Sequence, residues 1–199
     1  YETAGANRVL RVLEGLEPAR VVVPLRAAPD RVGPVREWLS GYDLALDLLW
    51  CDGPRVASLL SEAGLDGGRG KGRDVWLGLG RATEEEFVVV HDADTTTYDE
   101  SFVRRLLFPL TRGYDFSKGY YARVEDDSLY GRLFRLFYVP LVRALVDEHP
   151  EPYLAYLDAF RYALAGEFAA TAEMARRIQT PRKWGLEVGT LGDAFDVAG

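Results

Sequence analysis

Several residue types are scarce in this sequence, and each scarcity excludes something. Among 199 residues there is one cysteine, Cys51, and one methionine. A lone thiol forms no intrachain disulfide, so the fold stands without such a framework and suits a reducing compartment; a cytoplasmic location is expected. The only lysines are Lys71, Lys118 and Lys183, and the remaining basic side chains are arginines apart from two histidines. No apolar run approaches the roughly 18 residues of a membrane-spanning helix, and the first residues lack a basic-then-apolar targeting pattern. Positive charge is outnumbered, with 24 Lys and Arg against 31 Asp and Glu and a net charge of −7. That balance argues against a general nucleic-acid binder, which needs a basic face. A phosphate can still be held locally by a few cations and a helix N-terminus.

What remains is an ordinary globular composition, 48% hydrophobic and 28% charged, in a length that suits one domain over residues 1–199. The chain starts at Tyr1, not at methionine, and is expected to be a piece of a longer protein. β-branched runs alternate with helical periodicity, the pattern of an α/β fold. Strands are expected at 19–25, 44–50, 87–91 and 114–124. Helices are expected at 7–16, 33–42 (with Pro34 in the first turn), 53–65, 74–82 and 99–110. Residues 128–146 read as a helix kinked at Pro140, with Leu129, Leu133, Leu136, Phe137, Ala144 and Leu145 forming the inward stripe. Residues 66–73 are too rich in glycine for either element.

Chemistry concentrates at a few places. "FVVVHDADTTTYD" (87–99) runs an apolar strand into Asp92 and Asp94, where open α/β sheets bind their ligands. Two carboxylates one residue apart can share a hard divalent cation, Mg²⁺ or Mn²⁺, with nucleotide phosphates completing its shell. The plainer reading is a polar turn around Thr95–Thr97. The glycines at 67, 68, 70 and 72 let backbone amides approach an anion, and Lys71 adds a charge. The spacing is not that of a P-loop. "LAGEFAAT" (164–171) puts Gly166 and Glu167 at the head of an expected helix, and "KWGLEVGTLGDAF" (183–195) sets Glu187 among apolar residues, where a carboxylate is costly unless paired or metal-bound. Lys118 and Arg132 are candidates for a phosphate, the alternative being a Lys118–Asp115 ion pair. His91, Cys51, Trp50, Trp76, Tyr120 and Tyr121 read as packing residues.

The order of these motifs is more informative than any one of them. Gly-Lys-Gly, Asp-Ala-Asp, Lys-Gly-Tyr-Tyr, Gly-Arg, Ala-Gly-Glu-Phe-Ala and Trp-Gly-Leu-Glu-Val-Gly follow one another from about Arg69 to Phe195. This succession resembles the glucosyl-3-phosphoglycerate synthases, retaining glycosyltransferases of the GT-A fold. The resemblance implies a Rossmann-like, mostly parallel sheet with helices on both faces, incomplete at both ends. It implies UDP- or GDP-glucose as donor, 3-phosphoglycerate as acceptor, and Mg²⁺ or Mn²⁺ as cofactor; a homodimer is a further expectation. Lys71, with Gly70 and Gly72, would contact the donor nucleotide. Asp92 would lie near the ribose and Asp94, with Asp92, near the metal. Gly131 and Arg132, joined by Lys118, would hold the acceptor. Gly166 and Glu167 would line the acceptor and sugar pocket, and Glu187 would sit by the reacting sugar, with Asp94 as its catalytic partner.

Three departures stand out. The family's first strand with its donor loop is not visible ahead of residues 21–25. Phe134 replaces a threonine of the acceptor site, and the metal-binding histidine is expected beyond Gly199. Front-face attack and double displacement both remain open as routes to retention. A mannosyl-3-phosphoglycerate synthase is the near alternative. Two readings of other classes are a haloacid-dehalogenase-like phosphatase using Asp92, Asp94 and Thr96, and a non-catalytic nucleotide-binding module.

Overall fold

A computed structural model describes residues 3–65, 68–122, 124–125, 127–181 and 185–198. Asp66, Gly67, Arg123, Lys183 and Trp184, singled out above, lie outside the described residues. The elements run α1 (Ala4–Leu16), β1 (Val21–Leu25), α2 (Pro29–Leu39), β2 (Leu46–Trp50), α3 (Pro54–Glu62), α4 (Lys71–Ala82), β3 (Phe87–Val90), α5 (Glu100–Leu110), β4 (Phe116–Lys118), β5 (Val124–Glu125) and β6 (Ser128–Leu129). A π-helical segment (Phe134–Tyr138) follows, then α6 (Val139–Glu148), α7 (Pro152–Asp158), β7 (Phe168–Thr171), α8 (Ala172–Arg177) and α9 (Leu186–Ala198).

The α/β expectation holds. β1 and β2 pair in parallel, Val21 opposite Leu46 through Leu25 opposite Trp50. β7 is the central strand of a three-stranded sheet, antiparallel to β3 on one side and β4 on the other. β3 and β4 therefore point the same way, and only β7 is reversed. α4 joins the two sheets. Gly78 presses on Pro24 of β1, where an added Cβ would lie 2.7 Å from the proline ring. The next residue, Leu79, enters a core with Val88 of β3, Phe168 and Ala170 of β7, and Met174 and Ile178. Ala169, on the other face of β7, packs with Leu106 and Leu110 of α5.

Five local expectations are corrected. α2 begins at Pro29, where the missing N–H costs nothing, and Pro34 lies inside the helix. The glycine-rich stretch is partly helical, since α4 starts at Lys71 behind Gly70; Asp74 in the first turn favours that start. The expected strand at 114–124 pairs in the sheet only over Phe116–Lys118, with one further bond from the Gly119 amide to the Glu167 carbonyl at 2.8 Å. Glu167 heads a strand, not a helix: β7 starts at Phe168. Trp76 is exposed instead of packed.

The largest correction concerns residues 128–146. The expected stripe of Leu133, Leu136 and Phe137 faces solvent, and Leu129 sits in a short hairpin. The buried side is Phe134 and Val142, with Tyr138 packed against it. A π-helical turn holds more residues than an α-turn, so an apolar repeat of 3.6 slips off the face it seemed to mark. Phe134 stacks on Tyr138 and meets Tyr162 edge-on, and these aromatic contacts decide which side goes in.

Phe168 is buried at the centre of the sheet and stacks on Phe116 with centroids 5.5 Å apart. Phe168→Ala should cost about 3–5 kcal/mol. Urea denaturation checks this; a loss below 1 kcal/mol would mean that the β7 core is not the one described.

Candidate functional site

Strand register builds the site. Val90 and Lys118 both pair with Phe168, so the ends of β3 and β4 and the beginning of β7 share one edge. Asp92 leaves β3 there, Lys118 closes β4, and Gly166 and Glu167 lead into β7. Two helix starts complete it, Lys71 at the first position of α4 and Glu187 at the second of α9. Five chain segments thus deliver two lysines and three carboxylates to one place.

The distances define a charge cluster. Lys71 Nζ donates to Asp92 Oδ1 at 2.7 Å and lies 3.7 Å from Glu187 Oε1. Lys118 Nζ donates to the Glu187 carbonyl at 3.2 Å. The Lys118–Asp115 pair is not formed; Asp115 accepts from the Thr171 hydroxyl at 3.4 Å. Glu167 is only 3% exposed, and its Oε2 has no hydrogen-bond partner among the described residues.

Burial and neighbouring charge set the protonation states. Burial works against the Lys71 charge, but the Asp92 hydrogen bond and the negative charges of Asp92, Glu187 and Glu167 raise its pKa overall. Desolvation dominates at Lys118 and pulls it down to about 8, against the pull of Glu187 and Glu167. Burial, then repulsion from Asp92, raises Glu167 above the usual carboxylate range. Burial and the charge of Glu167 push Tyr121 up as well. The site therefore holds a firmly charged lysine, a lysine near its titration point and a carboxyl whose pKa burial has raised.

Gly166 has a geometric role here. A Cβ at Gly166 would lie 2.5 Å from Asp92 Oδ2 and 3.0 Å from its Cγ, so the glycine makes room for that carboxylate. Gly70 is the N-cap of α4, and the Gly72 carbonyl accepts from the Thr180 hydroxyl at 2.8 Å. Gly131 has a positive φ of 95°. A Cβ there would sit 3.6 Å from the Tyr162 ring, and Tyr162 meets Tyr121 edge-on. Gly131 thus reaches the cluster through two tyrosines. The Arg132 side chain is exposed and is not brought into the cluster. Phe134 is a core residue.

Asp94 is exposed, and its carboxylate has no hydrogen-bond or ion-pair partner among the described residues. Those residues contain no group of three or more His, Cys, Asp and Glu arranged for a metal. The two hard carboxylates nevertheless suit Mg²⁺ or Mn²⁺ held by one or two side chains with phosphate and water as the other ligands. His91 is a packing residue as expected: it meets Tyr98 edge-on, and burial lowers it to about 4. Cys51 is buried, and burial pushes its thiol up to about 12.

Sequence reasoning missed two features. Tyr121 is a neighbour of Glu167, not mere packing. Just after β1 and β2, Arg73 in the first turn of α4 bonds Asp52 and Asp74 at 2.9 Å each, and Arg26 lies 3.6 Å from Asp74. The signal available was position: Arg26 and Asp52 sit just past strand ends.

No protein-family model matches the chain. The curated glucosyl-3-phosphoglycerate synthase of Methanococcoides burtonii is 40% identical over 189 residues, 89% of this chain and 47% of that protein. The chain spans about half the length of this relative and of the Persephonella marina glucosyl-3-phosphoglycerate synthase, which is 40% identical. A crystal structure of the Mycobacterium tuberculosis glucosyl-3-phosphoglycerate synthase with Mn²⁺, UDP-glucose and glycerol 3-phosphate is similar in fold. Its TM-score is 0.56 at 25% identity, over 94% of this chain and 69% of that one. Mannosyl-3-phosphoglycerate synthase from Rubrobacter xylanophilus gives a TM-score of 0.57 at 25% identity, over 97% and 64%. The fold is GT-A-like, and the matched relatives favour a transferase over a phosphatase.

With only three lysines in the sequence, ¹³C-lysine NMR resolves them. One signal should titrate near pH 8 and vanish in Lys118→Arg. Between about 8 and the ordinary lysine value near 10.5 the folded chain binds fewer protons at Lys118 than the unfolded chain. This group's contribution to stability therefore rises with pH through that window. If every lysine titrates above 10, Lys118 is not desolvated. In Gly166→Ala, the Asp92 carboxylate must swing from Lys71, and the Lys71 signal should titrate at a lower pH than in the wild type. An unmoved signal would exclude the proposed seat for Asp92.

Proposed function

Because the chain is homologous to the glucosyl-3-phosphoglycerate synthases over most of its length, we propose that it transfers glucose from a nucleoside diphosphate sugar to 3-phosphoglycerate with retention. The observation that carries this reading is the meeting of Lys71, Asp92, Lys118, Glu167 and Glu187 on one sheet edge. These residues come from the separate motifs that suggested the family.

In the reaction, the bond from the anomeric carbon to the diphosphate oxygen breaks and the electron pair leaves with the diphosphate. A bond to the acceptor hydroxyl oxygen forms on the same face, and the hydroxyl proton passes to the leaving diphosphate. Lys71, fixed by Asp92, supplies a standing positive charge for that diphosphate. Glu187 presents its carboxylate beside Lys71, where positive charge develops on the sugar ring. Lys118 holds an acid or phosphate oxygen of the acceptor and is effective while protonated, below about pH 8; Arg132, outside the cluster, is the candidate for an acceptor phosphate that reaches beyond it. Glu167, its pKa raised by burial, leaves an unpartnered oxygen to accept a hydrogen bond from a sugar or acceptor hydroxyl. Mg²⁺ or Mn²⁺ at Asp94 and Asp92 would supply further charge neutralisation to the leaving group.

The test is conversion of labelled UDP-glucose and 3-phosphoglycerate to the glucosylated product in the presence of Mn²⁺, with GDP-glucose, GDP-mannose and EDTA as parallel arms. Preference for the mannose donor would shift the reading to the mannosyl relative, and full activity in EDTA would remove the metal role. Asp94→Asn should lower turnover by roughly two powers of ten or more, the scale of a lost electrostatic contact. Asp92→Asn keeps an oxygen for Lys71 and should lose only about tenfold. A dead Asp92→Asn beside an active Asp94→Asn would reverse the two roles.

A further inference from the structure

Asp94 is placed by a part of the chain that no sequence motif pointed to. Gly5, in the first turn of α1, is buried against the backbone of Asp94. A Cβ at Gly5 would lie 2.5 Å from the Asp94 carbonyl carbon and 2.9 Å from its Cα. Those are backbone atoms, so no side-chain rotation relieves the contact; the helix or the turn would have to move. The same helix grips the far end of the 91–99 loop, where Arg8 Nε donates to the Tyr98 carbonyl at 2.6 Å.

The other side of α1 is anchored. Asn7 Oδ1 accepts from Trp38 Nε1 at 3.1 Å and from the Tyr42 hydroxyl. Leu10 packs with Val35 and Leu39 of α2 and with Tyr42. α1 is therefore a brace: its apolar face is fixed on the β1–β2 unit, and its N-terminal end bears on the loop that carries Asp94. Without the brace, that exposed carboxylate would sit on a turn held only by its own ends.

We propose that Gly5 is a positioning residue for Asp94, and that α1 sets where this carboxylate stands for a divalent cation and the diphosphate. The inference rests on the metal role proposed above for Asp94. Supporting residues behind a metal ligand commonly change metal affinity by about 10- to 100-fold when altered, and Gly5→Ala should weaken Mn²⁺ binding on that scale.

The readout is equilibrium Mn²⁺ binding at saturating UDP, followed by the electron paramagnetic resonance signal of the free ion. UDP affinity in EDTA and thermal melts run alongside. In Gly5→Ala the Mn²⁺ affinity should fall while UDP affinity in EDTA is kept. In an Asp94→Asn background Gly5→Ala should cause no further loss of Mn²⁺ affinity; an additive loss would assign Gly5 a general structural role and overturn the proposal. If Gly5→Ala does not fold, Arg8→Ala carries the test, because Arg8 is exposed and its loss frees the Tyr98 end of the loop; a several-fold drop is expected. Unchanged Mn²⁺ affinity in these variants, while Asp94→Asn loses it, overturns the brace and leaves the metal role intact. No Mn²⁺ dependence in the wild type overturns both.

Discussion

One cation organises this molecule's sheet edge: the Lys71 ammonium, 2.7 Å from Asp92 and 3.7 Å from Glu187. Asp92, Glu167 and Glu187 converge there, and like charges in a partly dehydrated site repel strongly. Lys118 alone does not balance them, because desolvation has brought it close to losing its proton. Lys71 keeps its charge there, and its position follows from the first turn of α4. Gly70 caps that helix, Arg73 ties the turn to Asp52 beyond the end of β2, and Asp74 of the same turn faces Arg26 beyond the end of β1. The same turn thus fixes the cation and joins the parallel pair of strands to the three-stranded sheet.

β7 explains why the edge exists. Being antiparallel to both neighbours, it begins where they end. The residue before it, Glu167, falls among groups that leave β3 and β4. A fully parallel sheet would bring only strand ends to that edge, with the start of this strand on the opposite side. The reversal brings a third carboxylate to two strand exits without a long loop.

The sequence was informative wherever one physical pattern was sufficient. Strand–helix alternation located β1, β2 and β3 to within two residues and the helix α5 to within one. The motifs carrying Lys71, Asp92, Lys118, Glu167 and Glu187 did meet in space, although Glu167 was assigned to the wrong element. What stayed illegible was non-local. Nothing near residue 5 announces that Gly5 will press on Asp94, since the partner is remote in sequence and meets it only in the fold. The 128–146 stripe misled because two apolar faces competed, and packing of Phe134 against Tyr138 and Tyr162 decided between them. Tyr121 could be identified only once Glu167 was found beside it.

The unpartnered oxygen of Glu167 has a consequence for how such a protein changes over time. A buried carboxyl without a full set of hydrogen bonds costs the fold stability, and an apolar residue of similar volume would relieve that cost. Selection for heat resistance alone would favour its removal, whereas selection for chemistry at the sheet edge would keep it. Position 167 is therefore a place where durability and usefulness pull a lineage in opposite directions. A variant that survives at a higher temperature by losing this carboxylate would give up the one buried acid set beside Asp92, Lys71 and Tyr121.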